Sequence, residues 1–184
     1  MGIHSNQRSC RPISTRTRAS DVEQQLQAEG IRFTTWLEEQ GEVNELKLHE
    51  LYKRTNEDIP GNRESYPNLS EWKKWVLERD GSRPELVLIA ADGDRYVGVV
   101  HLLHNSQTGG MYHEFTGVDR EYRGRHIALT LKIQAIRLAQ CLNAPYMNTH
   151  NDSANAPMLT INRNRLGYVA SPGHYRMIKT LQPY

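Results

Sequence analysis

Residues 110–128 read GMYHEFTGVDREYRGRHIA and predict a β-strand, a short glycine-containing turn and the start of a long helix. The strand is predicted at 111–118, which is rich in aromatic and β-branched residues and follows a Gly-Gly pair. The helix is predicted at 121–143, because apolar residues recur there at steps of three and four. Such a stripe is typical of a crossover helix that packs on a sheet.

Basic residues crowd the predicted start of this helix. Arg123, Arg125 and His126 lie where a helix normally favours acidic side chains, because its first turn already carries partial positive charge. An anion bound there would explain them, since the first amides of a helix point outward and Gly124 lets a phosphate approach the backbone. A solvated basic helix start without a ligand is the alternative.

The segment 123–128, Arg-Gly-Arg-His-Ile-Ala, resembles the acyl-CoA pyrophosphate loop of the GNAT superfamily of N-acetyltransferases. Residues 116–118, Thr-Gly-Val, resemble the end of that family's fourth strand. Three later segments resemble its fifth strand and last helix: 149–151, 155–158 and 166–168. This ordered series is more specific than a glycine-containing loop alone, and it extends from about residue 31 to the C-terminus.

The resemblance implies which residues bind acetyl-CoA, the expected cosubstrate. Backbone groups near the end of the fourth strand would pair with the pantetheine arm as an added strand does, and the loop amides would bind the pyrophosphate. An asparagine would steady the acyl-CoA from the last helix. The expected cofactor-binding residues are Thr116, Gly117, Val118, Arg123, Gly124, Arg125, His126, Ile127, Ala128 and Asn155.

Two positions depart from the family pattern. His126 stands where the loop normally has glycine, so its side chain must either crowd the phosphate or donate to it. The family's general-acid tyrosine falls at Arg163 when counted back from Gly167, but at Asn162 when counted forward from Asn155. The disagreement implies one extra residue in the last helix, and neither position holds tyrosine.

The implied reaction is direct attack of an amine on the thioester. Tyr112, Glu114 and Thr116 are predicted to share one strand face, with His113 on the other. Glu114 is the nearest carboxylate on that face and is the predicted catalytic base, acting through water. A salt-bridged or merely exposed Glu114 is the alternative. The amide of Val118 suits stabilisation of the oxyanion.

The sequence therefore predicts an acetyl-CoA-dependent N-acetyltransferase that acts on a primary amine. A catalytically degenerate CoA-binding or regulatory domain is the alternative from another class. Nucleic-acid binding through the basic residues is a weaker third alternative, because the net charge of the chain is only +2. We expect a small-molecule or peptide amine acceptor, no nucleic-acid or membrane partner, and a cytoplasmic location, and we leave a homodimer open.

Length and pattern predict one domain. The 184 residues, 38% hydrophobic and 24% charged, suit a single globular core. Residues 1–30 are expected to form a basic flexible tail with a short helix at 21–30. Residues 31–184 are expected to form the GNAT domain, which resembles a lone second half of a double-domain member.

The fold class is predicted as α/β: a mixed, mostly antiparallel sheet with a central splayed parallel strand pair and helices on both faces. An Asn68–Glu71 capping box predicts a helix whose buried face includes Trp72 and Trp75. Asp92-Gly93 predicts a hairpin. Strands are predicted at 31–37, 85–91, 95–104, 111–118, 146–151 and 175–181, with further helices at 43–54 and 121–143.

No metal site is expected from the eight histidines. His101 and His104 are three residues apart on a predicted strand and would point to opposite faces. His113-Glu114 begins like a zincin motif, but Gly117 stands where the second histidine of that motif would be.

Overall fold

The protein is described by a computed structural model over residues 16–59 and 65–171. A five-stranded sheet has the order β1-β2-β3-β4-β5 and is antiparallel except for the parallel pair β4–β5. The strands are β1 (Ile31–Thr35), β2 (Val87–Asp92), β3 (Arg95–His104), β4 (Met111–Val118) and β5 (Met147–Asn148).

Helices lie on both faces of this sheet, so the predicted mixed α/β class is confirmed. Within the described residues the parallel pair forms one edge of the sheet, and the strand predicted at 175–181 lies outside them. The helices are α1 (Arg16–Ala28), α2 (Trp36–Glu39), α3 (Glu42–Asn56), α4 (Leu69–Trp72), α5 (Ile127–Cys141) and α6 (Ala156–Leu159).

The core has two layers, one on each face of the sheet. On one face, Leu26 of α1 and Leu131 of α5 belong to a fully apolar cluster with residues of β2 and β3. On the other, Leu51 of α3 and Trp72 of α4 pack against Val99 of β3. Both layers depend on β2 and β3, which are buried on both sides. For β2, the nearly continuous apolar sequence predicts this burial. The proposed division of the chain at residue 30 stays a prediction.

The long helix begins later than predicted. A 3-10 turn at Arg120–Tyr122 follows β4, and α5 starts only at Ile127. Gly124 and His126 have φ angles of 78° and 65°, which no right-handed helix contains. The start predicted at residue 121 is therefore wrong, and Arg123, Arg125 and His126 form a loop before the helix rather than its first turn.

The helix after Asn68 also departs from the prediction. Its capping box is present as predicted, but α4 gives way to a π-helical turn at Lys73–Leu77. A π turn rotates the following side chains relative to an α-helix. Trp72 precedes the π turn and is buried, whereas Trp75 lies within it, is 62% exposed and does not belong to the predicted apolar face.

None of the helices within residues 16–59 and 65–171 combines the length and hydropathy that a membrane span requires.

Candidate active site

Strands β4 and β5 separate soon after they meet. They pair only at Met111–Met147 and Tyr112–Asn148. The hydroxyl of Thr149 then donates to the carbonyl of His113 at 2.9 Å. Beyond this point β4 continues to Val118 paired with β3 alone, so among the described residues its other edge is open. The predicted splay of the parallel pair is therefore present.

A cavity of about 120 Å³ opens beside this splay. It is lined from β4 by His113, Glu114 and Thr116, from α5 by Lys132, and from the segment after β5 by His150 and Asn155. Two of the predicted cofactor residues, Thr116 and Asn155, thus line the same cavity as the predicted base. The open strand edge and the cavity together leave room for an extended ligand at the splay.

A β-bulge at Glu114 changes the predicted arrangement of side chains. His101 of β3 pairs with Phe115, and the next residue of β3, Leu102, pairs with His113, so Glu114 is the extra residue. After a bulge the alternation of side chains is shifted by one. The prediction that Glu114 and Thr116 share a face is wrong: Thr116 Oγ1 lies 2.9 Å from Nε2 of His113, on the α5 side.

Glu114 is bound on the opposite side of β4. Nη1 of Arg79 contacts its carboxylate at 2.5 Å, and the two side chains are 41% and 30% exposed. Glu114 also lies close enough to Tyr52 of α3 for its charge to raise the pKa of that phenol, after the larger effect of burial. Glu114 is thus salt-bridged in this structure, as one of the alternatives from the sequence stated. Its role as catalytic base stays a prediction.

The loop at 123–126 leads into α5, whose N-terminus has no side-chain cap. His126 occupies the N-cap position in the left-handed region, and its side chain makes no hydrogen bond to the first turn. Its ring is exposed. Apart from Gly124 itself and its two chain neighbours, no atom of the described residues lies within 4 Å of the position that a Cβ of Gly124 would occupy. The first amides of α5 consequently have no side-chain cap, and the backbone before them is open to a ligand.

The arginines of this loop have acidic partners. Arg120 and Arg123 both contact Asp58, and Arg123 Nε also donates to the carbonyl of Val118 at 3.1 Å. Hydrogen bonds from Arg120, and then from Arg123, hold the pKa of Asp58 below its usual value. Arg125 donates at 2.8 Å to Glu29, the residue that follows α1. The basic residues therefore do not require an anionic ligand for charge balance.

Gly117 has a packing role. A Cβ at this position would lie 2.4 Å from Oγ1 of Thr55, because α3 approaches β4 closely there. The absence of a side chain is thus explained without a cofactor. Ile127 is likewise a core residue, 1% exposed, whereas Ala128 is partly buried.

The last helix contains the extra residue that the sequence implies. Asn155 caps α6 by accepting from the amide of Met158 at 3.2 Å, and a π-helical turn follows at Thr160–Arg165. A π turn accommodates one residue more than an α turn. Asn162, one of the two positions expected for the tyrosine, is 3% exposed and donates to Asn151 at 2.6 Å. Arg163 is exposed.

Sequence reasoning missed Lys132. It is 1% exposed, and its Nζ lies 3.2 Å from Nε2 and 3.4 Å from Nδ1 of His113. Burial lowers the pKa of Lys132 to about 7 and places the pKa of His113 well below its ordinary value. The signal was its spacing, because Lys132 stands four residues after Ala128 and three before Ala135, within the apolar stripe of α5.

Comparisons with known proteins agree with this geometry. The sequence profile of the acetyltransferase (GNAT) family matches residues 45–160. No curated protein sequence matches the chain.

Solved acetyltransferases share the fold at low sequence identity. An aminoglycoside acetyltransferase from an uncultured soil metagenomic sample, in complex with sisomicin, is 14% identical with a TM-score of 0.61, over 83% of this chain and 99% of that one. AAC(6')-Iy in complex with a CoA bisubstrate analogue is 14% identical with a TM-score of 0.58, over 82% and 99% of the two chains. The NatC complex bound to Gag peptide and CoA is 18% identical with a TM-score of 0.54, over 73% and 82%. Since the family profile covers more than half of the sequence, the chain belongs to the acetyltransferase (GNAT) family.

Proposed function

We propose that the protein transfers an acetyl group from acetyl-CoA to a primary amine, which attacks the thioester directly. The observation that carries this proposal is the open edge of β4 beside a cavity, with the uncapped start of α5 close by in the chain. An extended ligand could pair with the free backbone groups of β4 at one end. At its other end, an anionic group could bind the first-turn amides of α5.

The residues at the splay fit acetyl-CoA. Backbone groups of 116–118 would pair with the pantetheine arm, and the amides of 123–128 would bind the pyrophosphate. Asn155 faces the cavity while it caps α6, so its position is fixed. Arg123 would turn from Asp58 towards a phosphate without leaving the surface, since its side chain is 46% exposed.

The acceptor is proposed to be a small-molecule or peptide amine. Among proteins with this fold, one complex contains sisomicin and another contains a peptide with CoA. An amine in water is mostly protonated, so the site must remove a proton before attack. Glu114 would do this through a water molecule at the cavity, and the amide of Val118 would stabilise the oxyanion.

A domain that binds CoA without catalysis is the competing proposal. It is favoured by His126 in the left-handed position of the loop and by the lack of a tyrosine at both Asn162 and Arg163, the two positions where the family resemblance expects one. Such a domain would bind acetyl-CoA equally well but release no thiol in the presence of amines.

Calorimetry with acetyl-CoA, followed by a thiol-release assay across a broad panel of amines, tests both proposals. We expect a dissociation constant below roughly a millimolar and a saturable rise in melting temperature, because a ligand that binds only the native state stabilises it. Absence of heat and thermal shift at millimolar acetyl-CoA would refute both. Binding without turnover of any amine would favour the degenerate domain.

A further inference from the structure

A buried ammonium group forms the floor of the cavity at the splay. Lys132 projects from α5 towards β4, and its contacts are the ring of His113 and the hydroxyl of Thr116, the latter at 3.5 Å. His113 is 2% exposed, so the pair is enclosed by protein except where the cavity reaches it. An ammonium carries three donors, and these contacts supply two neutral partners.

No carboxylate of the described residues lies within ion-pair distance of Lys132. Glu114 lines the same cavity but is paired with Arg79 on the other side of β4. The remaining titratable groups around the cluster are His101 behind His113, and His150 and Asp152 on the segment after β5. A buried cation with no anion among the described residues is unfavourable, so a ligand that supplies negative charge would stabilise the protonated form of Lys132.

We propose that Lys132 binds the thiolate of CoA and protonates it as it leaves the tetrahedral intermediate. This inference rests on the proposed function. The carbon–sulfur bond breaks, its electron pair stays on sulfur, and a proton from Nζ of Lys132 forms the thiol. Lys132 is then a neutral amine, and it regains a proton from the solvent that received the proton of the attacking ammonium.

The surroundings of Nζ suit this exchange. One tautomer of neutral His113 donates from Nε2 to Thr116 and accepts a hydrogen bond from Lys132 at Nδ1. This contact positions the lysine, and because His113 is neutral it does not offset the positive charge of Lys132. A pKa of about 7 means that Lys132 both gives and regains a proton at neutral pH. The cluster would therefore do the work of the tyrosine that neither Asn162 nor Arg163 supplies.

The experiment compares CoA with desulfo-CoA, which lacks the sulfhydryl group, by calorimetry over a range of pH. Wild-type protein is expected to bind CoA at least about tenfold more tightly than desulfo-CoA, because the thiolate accepts a charge-assisted hydrogen bond. The ultraviolet absorption of the thiolate should appear at lower pH for bound CoA than for free CoA, since a neighbouring cation lowers the pKa of a thiol.

Lys132→Met should abolish both effects, and its melting temperature should not fall, because an apolar side chain replaces a buried amine that has no carboxylate partner among the described residues. Lys53→Met, at an exposed position of α3, should retain both effects. In turnover, Lys132→Met should lower kcat with an unchanged KM for acetyl-CoA.

Three results would overturn the inference while leaving the proposed function standing. They are equal affinity of the wild-type protein for CoA and desulfo-CoA, no shift of the thiolate absorption on binding, or the same preference in Lys132→Met. The first two need no variant and hold even if Lys132→Met fails to fold. Failure of wild-type protein to bind either compound would instead refute the proposed function.

Discussion

Arg79 and Glu114 form an ion pair at the bulge of β4, with Nη1 of the arginine 2.5 Å from Oε1 of the glutamate. The bulge and this pair together hold the carboxylate on the side of β4 opposite the Lys132 cluster. The cavity at the splay is thus lined by an acid on one side of the strand and by a buried amine on the other. This separation is compatible with the two proposals, in which Glu114 removes a proton and Lys132 donates one.

Glu114→Gln tests the proposed base. We expect kcat to fall by about a hundredfold or more, because a general base contributes at least that much. The loss should shrink as pH rises, since more of the acceptor amine is then unprotonated. The dissociation constant of acetyl-CoA should not change, because the proposed contacts with acetyl-CoA come from the backbone of β4 and of the loop.

Arg79→Gln serves as the companion variant, since it removes the ion pair but keeps the carboxylate. It should lower kcat less than Glu114→Gln does. A Glu114→Gln enzyme that is as fast as wild type would show that another group, or water alone, removes the proton.

His126→Gly tests the residue at the start of α5. A non-glycine residue at a φ of 65° is strained by about 1 kcal/mol, which glycine relieves. We expect an unchanged or slightly higher free energy of unfolding in urea, and an unchanged or higher affinity for acetyl-CoA. His126→Ala, which removes the ring but keeps the strain, is the control. Weaker binding in both variants would mean that the ring itself donates to phosphate.

Several elements could be predicted from sequence because their signals are local. The bounds of β3 and β4 match their alternating or apolar runs, and the Asn68 cap forms as its spacing predicts. The position of Glu114 could not be predicted, because a bulge is a property of the pairing with β3 rather than of β4 alone. Likewise, nothing local marks His126 as left-handed, since glycine is the residue expected there.

Asp58→Asn tests whether Asp58 and the phosphates of CoA compete for the side chain of Arg123. The two arginines hold the pKa of Asp58 below its usual value, so its carboxylate is charged at neutral pH and binds Arg123 whenever the cosubstrate is absent. Removing that charge should tighten binding of CoA by up to about fivefold at low salt, because an exposed ion pair is worth about 1 kcal/mol or less. The gain should shrink as salt is added.

Asp94→Asn provides the matched control, since Asp94 is an exposed acid whose ion-pair partner is Lys47 rather than an arginine of the loop. It removes the same charge from the protein and should leave the affinity for CoA unchanged. Equal affinity gains in the two variants would attribute the effect to net charge rather than to Arg123.

The burial of His101 leads us to expect that the free energy of unfolding depends on pH. The ring is fully buried, with Nδ1 3.1 Å from the hydroxyl of Tyr52 and Nε2 2.9 Å from the hydroxyl of Ser82. Burial, and then the charge of Arg79, lower the pKa of His101 to about 3. In the unfolded chain His101 has an ordinary histidine pKa of about 6.5. As the pH falls, His101 is therefore protonated in the unfolded chain before it is protonated in the native protein. The stabilising contribution of neutral His101 is therefore complete above about pH 6.5 and decreases towards pH 3.

Urea unfolding between pH 7 and 4 should reveal this loss as a slope of about 1.4 kcal/mol per pH unit for each such histidine. His113 contributes in the same direction, because its pKa is also lowered by burial. His101→Gln should lower this slope by the contribution of one histidine, and the glutamine should keep polar contact with Tyr52 and Ser82. His104→Gln, at the end of the same strand, should leave the slope in place. An unchanged slope in His101→Gln would mean that His101 is protonated in the native state, and that Tyr52 and Ser82 accept its protons.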